Sequence, residues 1–594
     1  MRQTPRMSGR KTFHFVMISP SHYDDDGYVI QWKVSSIPSN SMASIYGIAQ
    51  DAIERRPLGP DVEIRLEAFQ EANTRIVPEK IAARLRGPDS RILVALVGVQ
   101  SNQFPRAVDL ARRFLACGVK VCIGGFHVSG CASMLEHTPP EIAEAQADGI
   151  SLFAGELEGR IESLWQDAWK DQLKPFYNYM NDLPGLEGQP VPWLPRQVLA
   201  RNAGLRTTFD AGRGCPFKCS FCTIINVQGQ KSRSRSVEDV EQIIRRNQAQ
   251  GVYNYFISDD NFARNKMWEP IFDLLIRLKE EEGLQIYVVI QVDTLCHKIK
   301  GFVEKASRAG VNRVFIGMET INPEALQGAQ KHQNKIGEYR TMLQAWHGVG
   351  ALTYAGYIIG FPNDTPESIL RDIRIIQREL PIDLLEFFIL TPLPGSQDHK
   401  ELWERGVPMA EDLNLYDTFH VTTAHASMSN GELQQAYDRT WETYYTPEHL
   451  ETVLHRTKIA GYDPWNMVMK MISFCAPPKF ERVHPLDGGL WRRKYRIDRR
   501  PGLPIENLMV FHTKFWLQKA LGYTRFAWLF FNYWRVYRRA MKTDSLARED
   551  IALAPDREID ESKLDLLTSD ALPSSKQTSA DRGDQGPGAS VIRP

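Results

Sequence analysis

The chain has 594 residues, 43% hydrophobic and 24% charged, enough for several cores at about 150 residues per domain. Its 72 lysines and arginines balance 72 aspartates and glutamates, so no global charge draws it to nucleic acid. Eight cysteines in so long a chain exclude a disulfide framework and point to a reducing cytoplasm, and no run reaches the roughly 18 apolar residues of a membrane span.

The start, residues 1–10, is basic, and the apolar run 13–18 is too short for a signal segment and reads as a strand. Further apolar runs follow at 62–69, 91–99, 120–124 and 150–154, with helical patterns at 78–86, 105–116 and 158–169. Buried strands alternating with helices predict a parallel sheet covered on both faces, a Rossmann-like α/β domain over 1–183. Ligands on such sheets bind at the carboxyl ends of the strands, which makes the loops 100–105, 124–128 and 155–159 candidates. The Pro/Gly-rich stretch 184–195 reads as a connector within a linker over 184–200.

A second alternating region predicts strands at 206–210, 253–258, 285–292, 313–318, 352–359 and 385–390. Ser236 with Asp239 forms a capping-box pattern, and Thr365-Pro366 opens another helix. Six such units fit a partial (β/α)6 TIM-type barrel over 201–400, with its chemistry at the carboxyl ends of the strands. The loop after the first strand reads Gly212-Arg-Gly-Cys-Pro-Phe-Lys-Cys-Ser-Phe-Cys-Thr223, a C-x3-C-x2-C run. Four-iron clusters take one thiolate per iron, so three thiolates leave one iron open, as a catalytic metal site requires. A zinc knuckle would need a second Cys or His pair; none follows, and the remaining cysteines (117, 122, 131, 296, 475) are scattered.

The later strand ends carry Ser258-Asp-Asp-Asn-Phe262, Gln291, Gly317-Met-Glu319 and Gly356-Tyr-Ile-Ile-Gly-Phe-Pro362. Each alone is a weak signal: a lone strand-end Glu is more often a cap or solvated group, Asp259 and Asp260 fit a loop start, and Gly360-Phe-Pro362 fits a turn. In this order after the cysteine run, they resemble the radical S-adenosylmethionine (SAM) superfamily over residues 205–396. The resemblance implies a [4Fe-4S] cluster on Cys215, Cys219 and Cys222, with SAM chelating the fourth iron and being cleaved to a 5′-deoxyadenosyl radical. It implies SAM contacts from Asp259, Asp260, Asn261, Gln291 and Glu319 to the amino and ribose groups, and from Phe221, Ile358 and Gly360 to the adenine. Ser101, Asn102, Gly124, Gly125, His127, Gly155 and Glu156 resemble the loops of a cobalamin-binding domain fused ahead of such barrels. The D-x-H-x-x-G motif of methionine-synthase-type domains is absent. This leaves open cobalamin without a histidine below the cobalt, a fold that has lost the cofactor, or a substrate-binding domain.

Residues 401–542 turn mostly helical, and His420 and His425 are candidates to line a substrate cavity. Within 491–542 a basic run and an aromatic, arginine-rich helix suit a membrane interface; the same pattern fits a helix packed on the protein's own core. The tail 543–594 has no aromatic residue and reads as disordered. The resemblance implies a cytoplasmic enzyme, in peripheral contact with the inner membrane face if that interface is used, drawing on a flavodoxin- or ferredoxin-like reductant. Its expected reaction is cobalamin-dependent methylation of an unactivated carbon in a small-molecule or lipid-like substrate. The alternatives are radical cyclisation, rearrangement or oxidation without methyl transfer, and a non-catalytic cobalamin or redox sensor.

Overall fold

The structure is a computed structural model and describes residues 11–542, 550–554 and 564–568. The basic start at 1–10 and the rest of the tail lie outside the described residues.

The front sheet has six parallel strands, β1 (Lys11–Ser19), β3 (Val62–Gln70), β4 (Ser90–Leu96), β5 (Lys120–Gly124), β6 (Ser151–Ala154) and β7 (Phe176–Asn178), in the order β3-β1-β4-β5-β6-β7. Strand β1 explains the layering. Val16 and Ile18 point into one core, while Phe13, Phe15 and Met17 point into another on the opposite face. A strand buried on both faces must lose its polar alternation, which is why it reads as one apolar run. A short strand, β2 (Gln31–Ser35), pairs antiparallel with β16 (Gly489–Arg493), stitching the front domain to a segment more than 450 residues later.

The second sheet is also parallel: β8 (Arg206–Phe209), β11 (Asn254–Ile257), β12 (Tyr287–Val292), β13 (Val311–Glu319), β14 (Leu352–Ile359) and β15 (Leu384–Ile389), in the order β15-β14-β13-β12-β11-β8. The order follows the sequence, as successive right-handed βα units give in an open barrel. Both expected capping patterns form: Ser236 accepts from Asp239 N at 3.1 Å, and Thr365 accepts from Ser368 N at 3.1 Å.

The helices Asn430–Tyr444, Pro447–Ile459, Pro464–Ala476 and Leu508–Ala540 contribute residues to the barrel's own core cluster, so this helical region shares that core instead of building a separate one. Parts of the tail join it. Leu564 and Leu566 are buried in the same cluster, and Asp550 pairs with the buried Arg456 at 2.6 Å. The connector is packed as well, with Leu186, Val191 and Leu194 buried.

Two ties join the front domain to later parts of the chain. Glu156, just after β6, accepts from Arg213 at 2.7 Å and from Arg233 at 2.8 Å, and Arg213 also reaches Glu158 at 2.7 Å. His420 lies between Asp417 at 2.9 Å and Asp25 at 3.1 Å.

Candidate functional site

The cysteine run leaves the carboxyl end of β8 through a two-residue antiparallel ladder, β9 (Gly212–Arg213) with β10 (Arg233–Ser234). The ladder closes a loop that Gly214 makes possible. Its φ is +90°, and a Cβ there would stand 2.7 Å from the carbonyl oxygens of Gly229 and Lys231. Within the loop Cys215 N donates to Gly229 O at 3.2 Å, Cys222 N to Cys219 O at 3.2 Å, and Ser220 N to Ala329 O at 3.0 Å. Burial pushes the thiols of Cys215 and Cys222 up, to about 11 and about 12. A metal must therefore displace protons to bind them.

The spacing of the sulfurs separates two kinds of metal site. Around one tetrahedral zinc they would converge to about 3.8 Å, given bonds of about 2.3 Å. Among the described residues, the group that brings three potential ligand atoms within 4.8 Å of one another is His127, Cys131 and Glu141, so at least one pair of the three loop sulfurs stands wider apart than that. A wide trio suits a cluster that spreads its thiolates over different irons.

The other candidates fall into two groups. Asp260 faces the loop: it lies close enough to raise the Cys215 and Cys222 thiols, and burial lifts its own carboxyl to about 7. Glu319 ends β13 with a φ of +67°, a strained conformation for a non-glycine residue, where the register with β14 shifts. Phe221 packs on a small apolar cluster with Ile358, Phe361 and Phe388, and Gly360 follows with a φ of +97°. These residues converge on the loop.

Asp259, Asn261 and Gln291 serve the scaffold. Asp259 accepts from Ala211 N at 2.7 Å, Gly212 N at 2.9 Å and Asn265 Nδ2 at 2.8 Å, fixing the exit of β8. Asn261 donates to Asp293 at 2.9 Å and Gln291 to the Asp259 carbonyl at 3.2 Å.

In the front domain a cavity of about 310 Å³ opens at the carboxyl ends of β1, β3 and β4. Ser19, Asn40, Gln70, Gln100 and Gln103 line it beside Phe126, and residues 486–488 close one side. Hydroxyl and amide groups beside an aromatic ring fit the amide-fringed rim of a corrin. None of the seven sequence candidates of the front domain lines this cavity. His127 is fully buried, its Nδ1 3.2 Å from Ser101 Oγ and its ring against Phe104. Asn102 is buried too. Gly124 ends β5 against the Phe153 carbonyl, and at Gly125 a Cβ would stand 2.1 Å from Val99 N. Gly155 takes a φ of +101° beside Tyr179. Glu156 is committed to Arg213 and Arg233.

Residues 211–376 match the family described as the radical SAM superfamily. Residues 211–376 form a radical SAM domain. It is 28% identical to the bacteriochlorophyllide d C-8(2)-methyltransferase of Chlorobaculum tepidum, over 55% of this chain and 72% of that protein. It is 25% identical to the hopanoid C-2 methylase of Rhodopseudomonas palustris, over 56% of this chain and 61% of that protein. The structure of the radical SAM methyltransferase TsrM from Kitasatospora setae matches with a TM-score of 0.51 at 15% identity, covering 66% of this chain and 76% of TsrM. That of OxsB, a cobalamin-dependent SAM radical enzyme, matches with a TM-score of 0.50 at 13% identity, covering 91% of this chain and 82% of OxsB. At these identities the two structures establish a common fold.

Sequence reading missed two residues of the radical SAM domain. Lys331 is buried, forms an ion pair with Glu319, and lies 5.6 Å above the Phe221 ring. Burial alone would lower its ammonium; Glu319 and the thiols of Cys219 and Cys222 outweigh that and raise it. Gln333 donates from Nε2 to Cys219 Sγ at 3.4 Å. Both sit in a loop with no periodic pattern, and only proximity in the fold marks them. His425 is structural: its Nε2 donates to the Phe361 carbonyl at 2.7 Å, and its Nδ1 accepts from the backbone of Ser427 and Met428.

Proposed function

We propose that this radical SAM enzyme methylates an unactivated carbon of a small-molecule or lipid-like substrate, using a [4Fe-4S] cluster, SAM and cobalamin. The observation that carries the reading is the thiolate trio on one loop beside the buried Lys331, in a chain whose front domain opens a polar-rimmed cavity at its strand ends. Bound there, the cluster and SAM would supply a 5′-deoxyadenosyl radical for hydrogen abstraction and cobalamin a transferable methyl group.

The protein's share is binding and orientation. Cys215, Cys219 and Cys222 would each hold one iron. Lys331 would meet the carboxylate of SAM, while Glu319 and Asp260 would accept from its ammonium or ribose hydroxyls. Phe221, Ile358 and the backbone at Gly360 would hold the adenine in an apolar slot. Asp259, Asn261 and Gln291 would position the strand ends that carry these groups. Ser101, Asn102, Gly124, Gly125, His127 and Gly155 would shape the loops under the corrin, and Glu156 would fix their distance from the cysteine loop. The domain limits proposed are 1–183, 184–200, 201–400 and 401–542, followed by the tail. A flavodoxin- or ferredoxin-like carrier would provide the electron, with the enzyme in the cytoplasm and in peripheral contact with the inner membrane face through 491–542. The relatives named for hopanoid and bacteriochlorophyllide methylation support a hydrophobic substrate.

The test is anaerobic purification with reconstituted iron and sulfide. The expected results are a cobalamin absorbance spectrum, 5′-deoxyadenosine released from SAM under dithionite, and a product heavier by one methyl group. Deoxyadenosine with no added methyl would favour cyclisation or oxidation, and its absence from a fully loaded cluster would overturn the enzyme reading.

A further inference from the structure

The helix Leu508–Ala540 is 33 residues long yet buries only Phe511, Leu529, Tyr533, Val536 and Ala540. The last four are spaced by 4, 3 and 4, so one narrow stripe faces the protein. A surface helix normally turns charged and polar groups to the opposite side. This one turns out Met509, Trp516, Leu517, Trp528 and Phe531, which are 78%, 64%, 59%, 65% and 52% exposed. The segment leading into it adds exposed Leu490, Trp491, Ile497 and Ile505. A contiguous apolar surface of this kind on a folded protein marks an interaction site.

Charge identifies the occupant. Residues 489–542 hold thirteen lysines and arginines against two acids, Asp498 and Glu506; Arg492, Lys494, Arg500, Lys514, Lys519 and Arg539 pair with carboxylates of the protein, and Arg535 and Arg538 lie on the outer face of the helix. Arg535 and Arg538 lie over the rings of Phe531 and Trp534 at 6.0 Å and 5.4 Å. Tryptophans with arginines on one outward face suit the headgroup layer of an anionic bilayer, where rings enter the acyl boundary and guanidinium groups meet phosphates. No described helix is long and apolar enough to cross a membrane, so the helix would lie on the surface.

We propose that the outer face of the helix Leu508–Ala540 docks this protein on anionic phospholipid bilayers and so presents membrane amphiphiles to its catalytic cleft. The amphiphile half of the proposal rests on the methyltransferase reading; the docking half does not. Geometry connects the two. Phe511 packs on Tyr28 at 5.4 Å between ring centroids, Lys514 pairs with Asp26 at 3.1 Å and Lys519 with Glu481 at 3.2 Å. The neighbouring residues Asp24, Asp25, Arg482 and His484 line a narrow cavity, and it shares His22, Ile30 and Asp487 with the 310 Å³ cavity of the front domain. At about 10 Å³ it holds about one water, so it marks where the base of the helix and the larger cavity adjoin.

The test is co-sedimentation of the anaerobic full-length holoenzyme with vesicles of phosphatidylcholine alone, or of equal parts phosphatidylcholine and phosphatidylglycerol. We expect binding to the mixed vesicles, weakened by salt, and a loss on the order of tenfold or more in Trp516→Glu/Trp528→Glu. SAM cleavage in that variant should match the parent, which separates failed docking from failed catalysis. Equal binding to both vesicles, no binding, or a variant that sediments like the parent would overturn the proposal. So would a dimer in light scattering that this variant abolishes, because the surface would then belong to a second copy.

Discussion

Replacing His420 by glutamine tests the contact between the front domain and the segment after the barrel. The imidazole lies between Asp417 and Asp25. Burial would lower its pKa, but the hydrogen bonds and charges of the two carboxylates win and raise it from 6.5 to about 10. A folded-state value above the unfolded one means the clamp contributes fully below pH 6.5 and is lost as the pH rises through about 10. The rise corresponds to at most about 5 kcal/mol. The imidazole is 21% exposed and Asp25 43%, so solvent screening reduces the working figure to about 2 kcal/mol. His420→Gln should therefore lower the apparent melting temperature by a few degrees at pH 6, and the gap should close as both proteins approach pH 10. Anaerobic calorimetry across that range reads the difference directly. A gap that stays constant, or widens towards alkaline pH, would refute a charged histidine in the clamp.

Cys219→Ala should abolish both the brown colour of the reconstituted protein and the cleavage of SAM, read by absorbance and by deoxyadenosine release. Lys331→Met strands the Glu319 carboxylate and should cost roughly 3–5 kcal/mol in chemical denaturation. Adding Glu319→Gln should recover most of that stability while SAM binding, measured at equilibrium, stays weak. Glu156→Gln removes the negative charge shared by Arg213 and Arg233 and turns one acceptor oxygen into a donor, and limited proteolysis should cut the connector 184–200 several-fold faster than in the parent.

Much of the architecture is legible in the sequence because its signals are local. The apolar run of β1 and the strand at Leu352–Ile359 announce buried parallel strands without neighbours being known. The cysteine run is local too. The helix Asn40–Glu54 gives a weaker signal, because Met42 and Ile48 share its buried face with Ala43, Ser44, Gly47, Ala49 and Ala52, whose low hydropathy thins the stripe. Gly47 is small for a reason: a Cβ there would stand 2.0 Å from the carbonyl of Val191. Lys331 becomes visible only when β13 and the cysteine loop are brought together. Asp259 and Glu156 read as ligand contacts in sequence, yet one holds backbone and the other arginines. A carboxylate at a strand end looks the same in sequence whether it serves a ligand or the scaffold.

The arginine-to-glutamate strut across the two sheets has a consequence for how the molecule can be divided. It joins the loop after β6 to the ladder that carries the thiolate loop, so the two halves are held together by buried charge. Severed at the connector, the two pieces would still meet through this cluster, so a nick there should leave a complex and not two free fragments.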